Sequence, residues 1–195
     1  MSEDYASRAW FESLAWQHQW IEKMVGWWVG EFGKPGSVCD YGAGDGWWCK
    51  SFHDVGSNVW AVELHEVARE YIPPQVQFHQ HDLTRPVELN HRFDLVICLE
   101  VAEHLPRPAA DVLCQTLARS TGNHLIFSAA GPGQEGTGHL NLQPQAWWRD
   151  KLEQYPGIQF SPLKTGKTRE AWENIVNECF EFLPRNVQVF ARVDL

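Results

Sequence analysis

Short apolar runs alternate with stretches of helical periodicity along most of the chain, which predicts strands and helices in alternation. "SVCDY" (37–41), "SNVWAVE" (57–63) and "QVQFHQ" (75–80) read as strands. "RFDLVICLE" (92–100) is almost continuously apolar, as expected of a strand buried on both faces of a parallel sheet. "NHLIFSAA" (123–130), "GIQFSPL" (157–163) and the alternating "NVQVFARV" (186–193) complete the series. Helices are expected after the first strand to about Asp54, over "LHEVAREY" as far as Pro73 and Pro74, and after Pro108 with Val112, Leu113 and Leu117 inward. Another follows Pro144 with Trp147, Trp148, Leu152 and Tyr155, and Trp172, Ile175, Val176, Cys179 and Phe180 share one helical face. Near the N-terminus Leu14, Ile21, Val25, Trp28 and Phe32 form a helical stripe, with Trp16, Trp20, Met24 and Trp27 beside it and Glu12, Gln19 and Lys23 opposite.

This order implies an α/β fold, a mostly parallel sheet with helices on both faces and right-handed crossovers. Its length suits a single domain over residues 1–195, read as an N-terminal helical cap (1–33) and a core (34–195). Ligands of such sheets sit outside the carboxyl ends of the strands. The unusual motifs of this chain fall there.

Composition narrows the function classes. A net charge of −9 disfavours nucleic acid as a partner, because phosphate binding draws on lysine and arginine. No apolar stretch is long enough for a membrane span, and the polar start "MSEDYASRAWFE" reads as neither signal nor transit peptide. Cys39, Cys49, Cys98, Cys114 and Cys179 form an odd set without a CxxC pair, which argues against a disulfide framework or zinc cluster and for a reducing cytoplasm. Seven tryptophans lie before residue 49, which reads as core packing with some rings left over for a pocket wall.

The loop "VCDYGAGDGWW" (38–48) carries the chemistry. A nicotinamide-cofactor loop has the spacing G-x-G-x-x-G. Here it is G-x-G-x-G, with Trp47 in the place of the last glycine. Asp40 and Asp45 would repel a pyrophosphate and suit a ligand with a cationic amino group. The motif resembles motif I of the class I S-adenosylmethionine (SAM)-dependent methyltransferases, and the resemblance runs from about Gly36 to the end of the chain. It implies a Rossmann-like, doubly wound, seven-stranded sheet ending in a reversed hairpin-like edge. It also implies a SAM site built from Asp40, Gly42, Ala43, Gly44 and Gly46. Glu63, with Leu64 beside it, stands where the family places an acid on the ribose hydroxyls. Asp82 and Leu83 stand at the adenine, and Leu99 borders the methionine moiety.

Methyl transfer from a sulfonium needs alignment and a nucleophile in the right protonation state, so a hydroxyl acceptor needs a base or a metal ion. "EVAEH" offers Glu100, Glu103 and His104, which a helix would bring to one face, and "GTGHLNLQP" offers His139. The pattern is similar to that of small-RNA 3′-terminal 2′-O-methyltransferases and some ubiquinone-pathway O-methyltransferases. Carried over, it gives Glu100, Glu103, His104 and His139 as ligands of Mn²⁺, Mg²⁺ or Fe²⁺. Without metal, His139 or His104 would serve as base, with Glu100 beside them. "GPGQEGTGHLNLQPQAWW" is also similar to small methyltransferases found near sugar and surface-glycan genes. Its glycines and prolines suggest a lid.

The expected activity is therefore SAM-dependent O-methylation of a small molecule or sugar. The alternatives are 2′-O-methylation of an RNA 3′ end and a non-catalytic methyltransferase-like binding module. Acceptor and oligomeric state stay open. "KTGKTRE" (164–170), His79 and His81, and Gly26-x-x-x-Gly30 carry no assignment.

Overall fold

Leu95 and Ile97 of strand β4 (Phe93–Leu99) turn to one face of the sheet and Val96 and Cys98 to the other, and all are buried. A strand with no polar face must be covered on both sides, and this one is central. The structure, a computed structural model, describes residues 7–176 and 180–193. Its sheet has seven strands in the order β3 (Gln77–Gln80), β2 (Asn58–Glu63), β1 (Ser37–Tyr41), β4, β5 (Thr121–Ser128), β7 (Gln188–Arg192), β6 (Ile158–Phe160). The first five are parallel, and β7 runs antiparallel between β5 and β6. Strand order reverses at the β1–β4 pair, where Asp40 lies opposite Ile97.

Helices α2 (His18–Phe32), α3 (Trp47–Asp54) and α6 (Pro162–Ile175) cover one face, burying Ile21, Met24, Val25, Trp28, Phe52 and Trp172 against Val38, Leu95, Ile97 and Ile126. Helices α4 (Ala110–Ser120) and α5 (Gln145–Leu152) cover the other, where Leu113, Leu117, Trp148 and Leu152 meet Val96, Leu125 and Phe127. Two short helices, α1 (Arg8–Ser13) and α7 (Phe182–Asn186), stand beside the carboxyl ends of the strands. Among the described residues no helix is long and apolar enough to cross a membrane.

Several elements differ from expectation. "LHEVAREY" forms only a short 3₁₀ turn, Glu66–Glu70, because Ala68 is its single fully buried residue and too little apolar surface supports a longer helix. The strand expected over 157–163 stops at Phe160. Ser161 accepts from Lys164 N–H and Pro162 occupies the first turn, so capping starts α6 there and takes in "KTGKTRE". Tyr155 falls beyond the end of α5, and Cys179 lies outside the described residues. The N-terminal helix is interrupted by a 3₁₀ turn, Leu14–Gln17, which moves Leu14 out of the stripe and leaves Trp16 42% exposed.

Candidate active site

Two adjoining hollows open at the strand-order reversal. The first, about 640 Å³, is lined by Gly42, Gly44, Glu63, Leu64, His65 and Leu83 together with Glu100 and His104. The second, about 810 Å³, takes in Ala43, Asp45 and Leu99 and shares Trp10, Gly42, Gly44, Glu100 and His104 with the first.

The glycine loop is shaped by its own packing as well as by the hollow. At Gly42 (φ 83°) and Gly46 (φ 71°) a Cβ would fall 2.4 Å from Val101 Cγ2 and 2.3 Å from Ile72 Cγ1. Gly44 is less confined, since a Cβ there would touch only Leu14 Cδ1, at 3.6 Å. The loop is tied to the next strand through Glu63. Its Oε2 accepts from Gly44 N–H at 3.0 Å, and its Oε1 from Leu64 N–H at 2.8 Å and His65 N–H at 3.2 Å. Three backbone donors thus fix a buried carboxylate at the hollow's wall.

The other acids are placed differently. Asp40 is 3% exposed, lines neither hollow, and accepts from the Cys49 thiol at 3.5 Å. Burial pushes its pKa up to about 8; the Cys49 bond opposes this, and the Glu63 and Asp45 charges add to it. Asp82 also lies outside the hollows, and its Oδ1 accepts from Thr84 N–H at 2.9 Å. Desolvation there is outweighed by the Thr84 hydrogen bonds, so its pKa lies below the ordinary value. Asp45 accepts from N–H of Trp47 at 3.2 Å and pairs with His18 Nε2 at 2.6 Å, and the His18 ring stacks on Trp47 at 3.6 Å. Helix α2 is thereby fastened to the glycine loop.

On the far side, "EVAEH" forms a single 3₁₀ turn, Ala102–His104, instead of the expected helical face. Glu100 takes the left-handed conformation (φ 54°), held by its N–H donating to Ser128 O and Oγ, both at 3.1 Å. Its carboxylate meets Asn186, whose Nδ2 donates to both oxygens at 3.2 Å and to Gln134 Oε1 at 3.0 Å, and it stays close enough to Glu103 to act on that carboxyl. The structure therefore brings together three of the four sequence-predicted ligands. One ligand atom from each of Glu103, His104 and His139 lies within 4.8 Å of the others, and the imidazole centroids are 5.1 Å apart.

Both imidazoles present the same nitrogen. Nδ1 of His104 faces Gly138 O and Nδ1 of His139 faces Gln134 O, each at 3.2 Å, so Nδ1 carries the proton and Nε2 the lone pair. Gly136 makes room for the second ring, because a Cβ there would lie 2.4 Å from His139 Nε2. Glu103 is 1% exposed, and neither carboxylate oxygen has a partner at full hydrogen-bond geometry. Burial, reinforced by the Glu100 charge, pushes its pKa up to about 9. His104 is shifted down, mainly by desolvation.

Several lining residues had no signal in the sequence. His65 lines the first hollow with a buried Nε2 that has no partner among the described residues. Trp10 and Gln17 come from the N-terminal segment, and Phe182 from α7. Asn186 and Gln134 lie far along the chain from Glu100, and only the fold brings them to it.

A seven-stranded sheet with this order, one antiparallel strand next to the edge and a glycine loop backed by an acid on the next strand is the Rossmann-like methyltransferase fold. A family model described as a methyltransferase domain matches residues 10–165, and the chain belongs to that family, among the class I SAM-dependent methyltransferases. It is similar to the ubiquinone biosynthesis O-methyltransferase of Acinetobacter baumannii (strain AYE), with 30% identity over 119 residues, 56% of this chain and 48% of that one. It is also similar to the magnesium-protoporphyrin O-methyltransferase of Synechocystis, 30% identical over 123 residues, 57% of this chain and 52% of that one. The chain spans about half the length of these curated relatives. Among solved structures, the magnesium protoporphyrin IX methyltransferase from Synechocystis PCC 6803 with bound SAM shares the fold. The TM-score is 0.65 at 21% identity, over 91% of this chain and 80% of that one. The sugar N-methyltransferase KedS8 from Streptoalloteichus does too, with TM-score 0.65 at 16% identity, over 91% and 87%.

Proposed function

We propose that this chain is a SAM-dependent O-methyltransferase that acts on a hydroxyl of a small molecule. The supporting observation is the adjacency of the two hollows: both reach Gly42, Gly44, Glu100 and His104, the first adding Glu63 and Leu83 and the second Ala43 and Leu99. Glu63, already oriented by three backbone N–H groups, keeps lone pairs for the ribose hydroxyls. Leu64 and Leu83 form the apolar slot for adenine, and His65 Nε2 offers the base edge a hydrogen-bonding atom. The methionine end lies along Gly42, Ala43, Gly44 and Leu99. Asp40 and Asp82 act from behind, Asp40 by shaping the loop base and Asp82 by holding the turn that presents Leu83. Residues 7–33 cap a core that begins near residue 34, and the four described cysteines, all buried and free, suit the cytoplasm.

The acceptor hydroxyl gives its proton to His139 Nε2, whose tautomer the Gln134 carbonyl fixes, while His104 and Glu100 flank the reacting oxygen. The donor set also fits a divalent cation. Glu103, His104 and His139 would hold it through a carboxylate otherwise left without a full partner and two Nε2 lone pairs. When bound, such an ion would lower the acceptor's pKa. Glu100 is committed to Asn186 and stands outside this set.

Calorimetric titration with S-adenosylhomocysteine, with chelator and again with Mn²⁺, tests both parts. Binding in both runs is expected, and its absence in both overturns the methyltransferase reading. Tighter binding with Mn²⁺, lost in His139→Ala, supports the three-ligand set; identical isotherms remove the metal. His139→Ala should keep cofactor binding within about twofold and lower transfer by at least about 100-fold.

A further inference from the structure

The second hollow has one wall that the cofactor residues do not occupy. It is built by Leu14, Ile21, Trp48, Phe180, Phe182 and Leu183, contributed by the N-terminal segment, α3 and the region of α7. Its rings are braced from behind: Phe180 packs on Phe182 at 5.3 Å and on Trp16 at 5.4 Å, and Trp48 separately on the buried Trp172 at 5.5 Å. The polar groups are few and mostly committed. Asp45 is held by His18, Glu100 by Asn186, and His104 faces the reacting edge. Among the described lining residues that leaves Gln17 as the uncommitted polar side chain, and there is no lysine or arginine.

We infer that the acceptor is an uncharged molecule whose hydroxyl sits on an aromatic ring, bound with the ring against the Trp48–Phe180–Phe182 wall and the hydroxyl toward His104 and His139. This rests on the methyltransferase reading and names its substrate class. A phosphorylated or carboxylated acceptor would enter a hollow that already contains Asp45 and Glu100 and whose described lining has no lysine or arginine. A sugar would turn several hydroxyls to that apolar wall, where Gln17 is the one uncommitted polar side chain among the described lining residues. A flat ring asks for none of this, and gains the edge and offset contacts that aromatic groups favour. In the transfer, a lone pair of the aromatic oxygen attacks the SAM methyl carbon as the carbon–sulfur bond breaks. The bond pair stays on sulfur, which becomes the neutral thioether of S-adenosylhomocysteine, and the hydroxyl proton passes to His139 Nε2 and then to water.

The test supplies labelled SAM and compares catechol and 2-naphthol with methyl glucoside, uridine and phenyl phosphate bearing a second hydroxyl. Aromatic hydroxyls are expected to accept methyl at least tenfold faster than any of the others. Phe182→Ala should raise KM for catechol about tenfold with kcat within twofold and S-adenosylhomocysteine affinity unchanged; Phe182→Leu, which keeps most of the volume, should do the same more weakly. If S-adenosylhomocysteine binds but the aromatic probes are no better than the glucoside, uridine or phosphate, or Phe182→Ala leaves KM unmoved, the acceptor class is wrong and the methyltransferase reading stands. If S-adenosylhomocysteine does not bind, that reading itself falls and this inference with it.

Discussion

Asp40, expected at the cofactor, is buried behind the glycine loop and lines neither hollow. Its position at the end of β1 is visible in the sequence, but its burial beside Cys49 is a product of the packed sheet. A carboxyl whose folded pKa is raised holds a proton that the unfolded chain releases. Its contribution is therefore full below the ordinary aspartate value and is lost as pH rises toward about 8. The slope through that window is at most about 1.4 kcal/mol per pH unit. Glu103, pushed up to about 9, extends the same trend. Urea denaturation of the cofactor-free protein should thus show falling stability between about pH 5 and pH 8. Asp40→Asn should flatten the curve, and an unchanged slope would place the proton elsewhere. The adenine end gives the complementary lesson. Asp82 and Leu83 are adjacent in sequence, yet only Leu83 reaches the hollow, because Asp82 closes its own turn onto Thr84.

At the scale of elements, the loops do the work and the glycines in them are not equivalent. Gly46→Ala combines a left-handed φ with a methyl driven into Ile72, and should cost on the order of 2–4 kcal/mol in thermal or urea unfolding. Gly136→Ala lies in a surface loop and should cost less than about 1 kcal/mol. By crowding the His139 ring, however, it should lower methyl transfer at least tenfold while S-adenosylhomocysteine still binds. Equal unfolding penalties for the two would contradict the geometry. Strands were the most legible elements, since β1, β2, β4 and β7 lie inside apolar or alternating runs that sterics leave few other uses for. Short segments were less so. A one-turn helix such as 66–70 is decided by tertiary burial of Ala68, and the turn at 102–104 by the Ser128 and Asn186 bonds to Glu100. Of the candidate site, the glycine loop, Glu63, Leu83 and the His104–His139 pair were legible because short motifs carry them. The aromatic wall and Asn186 were not, because segments more than a hundred residues apart build the wall and no local spacing announces it.

Across the whole molecule, the two hollows depend on a segment that lies outside the sheet. Trp10 lines both, and Leu14, Gln17 and Ile21 line the second; the stretch before α2 is held by Phe11, buried and stacked on Tyr71 at 5.5 Å, and by the ion pair of Arg8 with Glu70 at 2.5 Å. The Arg8–Glu70 pair is exposed and contributes little, and Phe11 is the one fully buried side chain of residues 7–17, so this stretch should open more readily than the sheet. Hydrogen exchange should show residues 8–17 protected at least tenfold by S-adenosylhomocysteine and α4 little changed. Equal protection throughout would mean that the cap does not open separately. The sheet carries a different constraint. Because β7 is inserted between β5 and β6, a strand made after β6 occupies an interior place. A ribosome translating this chain must expose the apolar edge of β5, with Leu125, Ile126 and Phe127, until residues 188–192 have emerged. Nascent chains stalled before that point would carry an unpaired, sticky edge, so the handling of incomplete copies by chaperones and proteases is written into the strand order itself.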